Sequence, residues 1–224
     1  MLHCAARGIA VYSPHTALDA CTDGIDDWLA DGLEPKAKRQ RIQPASNPPK
    51  GHESAGSGML VSLSSPATVD EVVQRVKRHL GMATGPSCAA LLGLLGSDAR
   101  AVGNGTGEDQ LGRSVRGKRC VCVACERAEV AGGSVVKGAQ ADLIWTGEMG
   151  HHEILAFTAA GQHVILCAPK ARARAERAGN HSNTERGFLP ILRGRLQSAL
   201  DSDEDGKGAE VVVSDADRDP LEFV

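Results

Sequence analysis

Two histidine–carboxylate pairs carry the clearest chemical signal in this sequence. Asp19 follows His15 by four residues, and Glu185 follows His181 at the same interval. Residues at this spacing share one face of a helical turn. Imidazole and carboxylate together form a ligand set that suits Zn, Mn or Fe(II) better than Ca or Mg. Because the spacing is common by chance, the alternative for either pair alone is ordinary polar side chains on a helix surface or an N-cap histidine.

The two pairs also share their position after a predicted strand. The first follows GIAVY at residues 8–12, and the second follows HVILC at residues 163–167 after an intervening stretch. In α/β folds, ligands tend to bind beyond the ends of the strands. Two repeats of one pattern weaken the ordinary explanation for each pair, and a metal site and polar helix-surface residues both stay open on spacing alone.

Strands and helices alternate along the chain, which predicts an α/β fold. The predicted strands are residues 8–12, 59–63, 118–125, 141–149, 162–167 and 209–214. The predicted helices are residues 23–33, 68–81, 151–161 and 184–200, the last kinked or restarted at Pro190. Glu71 lies three residues after Thr68, which is a capping-box pattern for the second helix. Residues 34–58 are rich in Pro, Gly, Ser and charge, so they are predicted to form a flexible linker.

Length and composition limit the class of protein. The chain has 224 residues and a formal net charge of −3, which gives no overall electrostatic case for binding nucleic acid. No apolar run reaches the roughly 18 residues that predict a membrane span, and the first residues lack a cleavable signal pattern. The seven cysteines are scattered and odd in number, which indicates a reducing intracellular compartment. We expect a cytoplasmic protein, with the nucleus and the mitochondrion as alternatives.

Three further motifs have structural explanations beside their functional ones. Cys120, Cys122 and Cys125 could hold a metal, but a strand that uses cysteine as a small apolar residue is the simpler interpretation. AGGS at residues 131–134 follows a strand like a phosphate-binding turn, but it lacks the full spacing and an ordinary tight turn explains it. KAKRQR at residues 36–41 is either a nuclear import signal or, more simply, a charged loop.

Four segments follow one another in the order of a known family. They are YSPHTALDA with GIDDWLADGL, then TGEMGHHEIL, then NHSNTERGFL, then VVVSDADRDPLEFV. In these segments the chain resembles the eukaryotic branch of the Nif-three-like family, the NGG-one-interacting-factor-three group, also known as GTP cyclohydrolase type 2 homologues. The resemblance covers residues 8–33 and about 120–224, whereas residues 59–80 fit more loosely.

The resemblance implies a two-lobed α/β fold, a single domain over residues 1–224, and toroidal hexamers around dinuclear metal sites. It implies metal ligation by Asp19, His181 and Glu185, with Glu185 as the natural bridge between two ions. His15 belongs to the same site, as a ligand or just behind one. The expected supporting residues are Glu148, His151 and His152.

The chain also departs from the family pattern. It begins almost at the His15–Asp19 motif, so we expect the family's earlier segment with a paired histidine to be absent and the fold to be incomplete at its N-terminus. Residues 126–130 and 168–179 are extra relative to the pattern, and we interpret them as insertions. The resemblance implies Zn, Mn or Fe as cofactor, two ions per site in the family and fewer here.

Two functions are compatible with these residues. The first is a dinuclear metal-dependent hydrolase of undefined substrate, in which the ions bind the substrate and activate a water. The second is a non-enzymatic metal-binding interaction protein with a protein partner in transcription. A third alternative is a fragment without function. We expect a homo-oligomer with no membrane contact and no direct binding to nucleic acid.

Overall fold

A computed structural model describes the chain at residues 1–81, 91–93, 121–124, 129–130, 133–134, 141–167, 178–179 and 182–216. Its helices are α1 (Leu2–Ala5), α2 (Ala17–Ala20), α3 (Ile25–Leu33), α4 (Val69–His79), α5 (His151–Ala159), α6 (Ser182–Glu185) and α7 (Leu189–Ser202), with a 3-10 turn at Arg186–Phe188. Its strands are β1 (Lys38–Pro44), β2 (Gly56–Ser62), β3 (Leu91–Gly93), β4 (Val121–Ala124), β5 (Glu129–Val130), β6 (Gly133–Ser134), β7 (Leu143–Thr146), β8 (Glu148–Met149), β9 (His163–Leu166) and β10 (Ala178–Gly179). The predicted α/β class is confirmed.

The main sheet has six strands in the order β1-β2-β4-β7-β9-β3. The central strands β4, β7 and β9 are parallel to one another, whereas β1, β2 and β3 are antiparallel to their neighbours. All four residues of β7 are buried, as expected for a central strand covered on both faces. This arrangement places β7 and β9 side by side, and Cys167 follows the end of β9.

Helix α4 shows how the local sequence attaches a helix to this sheet. Its capping box is present: the Thr68 hydroxyl accepts a hydrogen bond from the Glu71 N–H at 3.2 Å, and the Glu71 carboxylate accepts one from the Thr68 N–H at 2.7 Å. Four valines at helical spacing along α4 are buried in the core shared with α3, β2, β7 and β9: Val69, Val72, Val73 and Val76. Each fully buried side chain of this size contributes about 1.5–3 kcal/mol, so the stripe fixes α4 on one face of the sheet.

Helix α5 packs on the opposite face of the sheet from α4. It contributes to a second apolar cluster, formed with the strand residues that alternate with those of the first core. Phe157 lies there with Ile144, Val164 and Leu166. The predicted helix over residues 151–161 is confirmed at His151–Ala159, and Gly161 follows it with φ +82°. A left-handed residue of this kind commonly ends a helix.

The prediction of a flexible linker over residues 34–58 is wrong for residues 56–58, which begin β2, and for residues 38–44. This segment is β1, paired antiparallel with β2 from Lys38 opposite Ser62 to Pro44 opposite Gly56. Its basic residues suggested a loop, but two of them form ion pairs with α3: Arg39 with Asp31, and Arg41 with Asp26 and Asp27. Arg41 lies 2.5 Å from the Asp27 carboxylate. Part of the run KAKRQR is therefore structural, because its charge is matched inside the fold.

The predicted strands at residues 8–12 and 209–214 are also wrong. Neither segment pairs with a neighbouring strand among the residues that the structure describes, and a strand depends on such a partner. Ile9, Val11 and Tyr12 are exposed. Residues 209–214 are instead extended beside α7, where side chains bond to their backbone: the Gln197 amide accepts from the Val211 N–H at 2.9 Å, and Arg193 donates to the Val211 carbonyl at 2.8 Å.

Other predictions are met in part. Pro190 lies in the first turn of α7, so the restart predicted there is confirmed. Cys122 lies in β4 opposite Leu60, as the strand interpretation predicts, whereas Cys120 and Cys125 lie outside the described residues. β5 and β6 pair antiparallel, with Glu129 opposite Ser134 and Val130 opposite Gly133, whereas residues 131–132 of the AGGS motif lie outside the described residues. No helix of the described residues is long and apolar enough to cross a membrane.

The ends of both predicted insertions take part in small antiparallel pairs. Glu129 and Val130 form β5, and Ala178 and Gly179 form β10, which pairs with β8. The remaining residues of the two segments lie outside the described part of the chain. The C-terminal ends of both predicted insertions are thus part of regular structure.

Candidate metal pocket

One cavity brings together residues from the first and the last part of the chain. Its volume is about 340 Å³. Three of its lining residues are predicted ligands, namely His15, Asp19 and Glu185. The others are apolar: Leu18, Ile25, Phe188, Leu189 and Leu192. The fold therefore places one histidine–carboxylate pair beside the carboxylate of the other.

The first side of the cavity is built by the turn before α2. His15 has φ +46°, in the left-handed region that non-glycine residues seldom occupy. The turn is closed by the Leu18 N–H, which donates to the His15 carbonyl at 3.2 Å. Asp19 follows in the first turn of α2. This compact turn lets both side chains face one cavity, and such backbone strain persists where the surroundings hold it in place.

Arg41 holds the loop that follows α2. Its guanidinium donates to the Cys21 carbonyl at 3.0 Å and to the Ser54 carbonyl at 2.9 Å. Burial raises the pKa of the Cys21 thiol above its usual value. The Asp19 side of the cavity is thereby attached to β1 through a buried arginine.

The second side is built by α6 and the 3-10 turn after it. The Asn183 amide donates to the Cys167 carbonyl at 2.9 Å, which ties α6 to the end of β9. Thr184 is completely buried, and Phe188 is 2% exposed. Glu185 lies between these two anchors, so its backbone position is determined by the core on both sides.

An aromatic cluster joins the two sides. The Phe188 ring lies 6.1 Å from the Trp28 ring, and the Trp28 ring lies 4.5 Å from the His79 imidazole. Arg195 stacks over the Phe188 ring at 5.5 Å and donates to the Asp23 carbonyl at 2.5 Å. A single side chain of α7 thus contacts the loop between α2 and α3. Sequence reasoning missed Arg195 and Trp28 as positioning residues, because their contacts join segments far apart in the chain.

The donor chemistry of the cavity fits a divalent transition metal, because an imidazole and two carboxylates supply the N and O ligands of Zn, Mn or Fe sites. The described residues do not complete such a site. Among them, no group of three or more His, Cys, Asp or Glu side chains is close enough to hold an ion. His181, the fourth predicted ligand, lies outside the described residues. Its position next to Asp19 stays a prediction.

The structure does not bring two of the predicted supporting residues, His151 and His152, to this cavity. His151 and His152 are exposed at the start of α5, with their rings 5.8 Å apart, and neither lines the cavity. The Glu148 backbone pairs with Gly179 in the short sheet of β8 and β10, while its side chain lies outside what the structure describes. The motif of His151 and His152 at the start of a helix therefore did not predict where these histidines lie relative to His15 and Asp19.

Comparison with known proteins gives the relationship of this chain. The family model described as Duf34/NIF3 (NGG1p interacting factor 3) matches residues 1–111, a range that includes the segment expected to fit only loosely. The NIF3 homolog of Schizosaccharomyces pombe is 36% identical over 223 residues, which cover 99% of this chain and 66% of that protein. NGG1-interacting factor 3 of Saccharomyces cerevisiae is 34% identical over 220 residues, covering 96% of this chain and 62% of that protein.

The fold agrees with these alignments. A Bacillus cereus protein related to NIF3 superposes with a TM-score of 0.64 at 14% identity, over 99% of this chain and 75% of that structure. The chain spans less than two thirds of the length of the two yeast relatives. Sequence similarity along almost the whole chain, carried on a matching fold, shows that this chain belongs to the DUF34/NIF3 family.

Proposed function

We propose that the chain binds divalent transition metal ions at the cavity of His15, Asp19 and Glu185, and that the bound metal serves a hydrolytic reaction. The supporting observation is that this cavity collects three donor residues from the two ends of the chain. Surface polar residues on unrelated helices would have no reason to share one cavity. His181 is the proposed fourth ligand, because it precedes Glu185 by four residues in the sequence, the interval that also separates His15 and Asp19.

Each residue has a separate part in this proposal. Asp19 and Glu185 supply anionic oxygens, and a Glu185 carboxylate has the two oxygens that a bridge between ions requires. His15 supplies a ring nitrogen or orients a neighbouring ligand. A bound divalent metal lowers the pKa of a coordinated water toward neutrality and polarises a phosphoryl or carbonyl oxygen. The apolar walls formed by Leu18 and Leu189 keep the cavity low in dielectric, which strengthens such charge effects.

Metal titration tests the ligand assignment. Zn²⁺ and Mn²⁺ binding is measured by calorimetry, with elemental analysis after dialysis, for the wild type and for Glu185→Gln. Glu204→Gln, an exposed glutamate beyond the end of α7, removes the same charge outside the cavity. We expect Glu185→Gln to weaken metal binding by about tenfold or more and Glu204→Gln to leave it unchanged. Equal metal content in both variants would contradict the assignment of Glu185.

A second function is favoured by the name of one relative. The Saccharomyces cerevisiae protein is called NGG1-interacting factor 3, which indicates a protein partner for that relative. For this chain, the corresponding proposal is a metal-binding interaction protein rather than an enzyme. Metal-loaded protein assayed on nucleotides and phosphoesters separates the two functions. Metal-dependent turnover supports the hydrolase, whereas retained metal without turnover supports the interaction protein.

A further inference from the structure

A second cavity lies directly beside the metal pocket. Its volume is about 560 Å³, and it runs between α7 and the extended segment at residues 211–216. Most of its lining is apolar: Leu189, Leu192, Leu196, Val211, Val212, Val213 and Ala216. Arg193 and Ser214 complete the lining. We name this second cavity the α7 groove. A volume of this size with mostly apolar walls and few polar groups is typical of small-ligand sites.

The walls of the α7 groove are held in place by hydrogen bonds. The Gln197 amide donates to the Ala209 carbonyl at 3.0 Å and accepts from the Val211 N–H at 2.9 Å. Arg193 donates to the Val211 carbonyl at 2.8 Å. These contacts satisfy the backbone of an extended segment without a neighbouring strand. The groove between that segment and α7 is therefore a defined feature of the fold.

The α7 groove adjoins the metal pocket. Leu189 and Leu192 line both cavities. Leu196 lines only the groove, about one helical turn beyond Leu192. From Leu189 to Leu196 the path along α7 is roughly 10 Å, at 1.5 Å per residue. The two cavities therefore meet at Leu189 and Leu192, at one end of the groove.

Apolar side chains remain exposed at the outer part of the groove. Leu196 is 46% exposed and Val212 is 69% exposed. Contiguous exposed apolar surface with a polar end marks a binding groove more often than an idle surface. The polar end here is the pocket with His15, Asp19 and Glu185. The two chemistries are arranged in line, which selects a ligand with one polar end and one apolar end.

We infer that the metal pocket and the α7 groove form one site for an amphipathic small molecule, with an anionic, metal-coordinating head at the pocket and an apolar chain of roughly 10 Å along Leu192 and Leu196. This inference rests on the proposed metal binding for the head group. The groove part rests on the shared leucines alone. The two parts are therefore tested separately.

Alkyl phosphonates test the complete site. Calorimetry compares methylphosphonate with octylphosphonate on the Zn²⁺-loaded full chain. Each methylene that becomes buried tightens binding by about fourfold at most, and the half-open groove buries only part of the octyl chain. We therefore expect octylphosphonate to bind at least about 30-fold more tightly than methylphosphonate. Leu196→Gln should reduce this preference to about threefold or less, because it places an amide in the apolar wall.

Ile191→Gln is the matched control. Ile191 is also an exposed apolar residue of α7, at 37% exposure, but it does not line the α7 groove. It should keep the octyl preference. A preference that survives in Leu196→Gln, or is lost equally in both variants, would overturn the inference. So would a wild type that binds both phosphonates with equal affinity.

Alkyl amines separate failure of the groove from failure of the metal site. In metal-free protein the acidic side chains of Asp19 and Glu185 attract a cation, so octylammonium should bind more tightly than methylammonium, and Leu196→Gln should again remove the difference. If Zn²⁺ does not bind but the octyl preference remains, the metal proposal fails while the groove assignment stands. A second copy of the chain is the competing occupant of the groove, and sedimentation of the wild type, Leu196→Gln and Ile191→Gln tests it. The groove would be assigned to a second copy if the wild type showed no octyl preference and self-association were lost only in Leu196→Gln.

Discussion

Gly187 provides a sensitive test of how the Glu185 side of the pocket is positioned. It lies in the 3-10 turn between Glu185 and α7. A Cβ atom at this position would lie 2.5 Å from Cη2 and 2.6 Å from Cζ2 of the Trp28 ring. That ring cannot move freely, because it packs against His79 at 4.5 Å and Phe188 at 6.1 Å between ring centres.

The expected cost of Gly187→Ala follows from two opposing effects. Overpacking against aromatic neighbours costs about 1–3 kcal/mol, whereas the reduced freedom of the unfolded chain returns about 0.4–1 kcal/mol. We therefore expect a net destabilisation of roughly 1–2 kcal/mol. Because Glu185 is two residues away, the same change should also weaken Zn²⁺ binding.

Gly194→Ala is the matched control for this prediction. Gly194 lies inside α7, and a Cβ atom there would meet nothing within 4 Å. Alanine in place of glycine in an open helix position stabilises by roughly 0.5–1 kcal/mol. Urea unfolding followed by circular dichroism should place the two variants on opposite sides of the wild type. If both glycines tolerate alanine equally, the close packing of Trp28 against the 3-10 turn is refuted.

Two further predictions concern pH and the predicted insertion. Burial lowers the pKa of His79 below its usual value of 6.5, so the unfolded chain binds a proton at a higher pH than the folded protein does, and the associated stability is present above pH 6.5 and lost as the pH falls from there to the folded pKa. Urea unfolding between pH 8 and 5 should therefore show a smaller loss of stability on the acid side in His79→Gln than in the wild type. An equal dependence of stability on pH in both proteins would contradict this role of His79. Replacing residues 168–177 with a short Gly-Ser linker should leave the thermal midpoint unchanged or higher, because the penalty for loop closure grows only logarithmically with length and the pairing of Ala178 and Gly179 with β8 is kept. Loss of cooperative unfolding in a thermal scan would show instead that the replaced segment belongs to the fold.

The sequence alone determined the elements whose stability comes from neighbouring residues. The α4 helix is one of these, because Thr68 and Glu71 satisfy each other's backbone and the valines recur at helical spacing. The α/β class and the family motifs were also available from the sequence, since both depend on residue order. The residue types of His15, Asp19 and Glu185 also indicated a metal site, because imidazole and carboxylate groups are ligands of transition metals.

Tertiary structure decided which segments pair and which side chains meet. β1 forms in a segment with the composition of a loop, because β2 supplies its hydrogen bonds and α3 neutralises Arg41. Residues 8–12 and 209–214 have the composition of strands but form none, because a ladder needs a partner that composition does not encode. The cavity of His15, Asp19 and Glu185, and the α7 groove that adjoins it, arise from contacts between distant parts of the chain, and such contacts are set by packing rather than by spacing along the sequence.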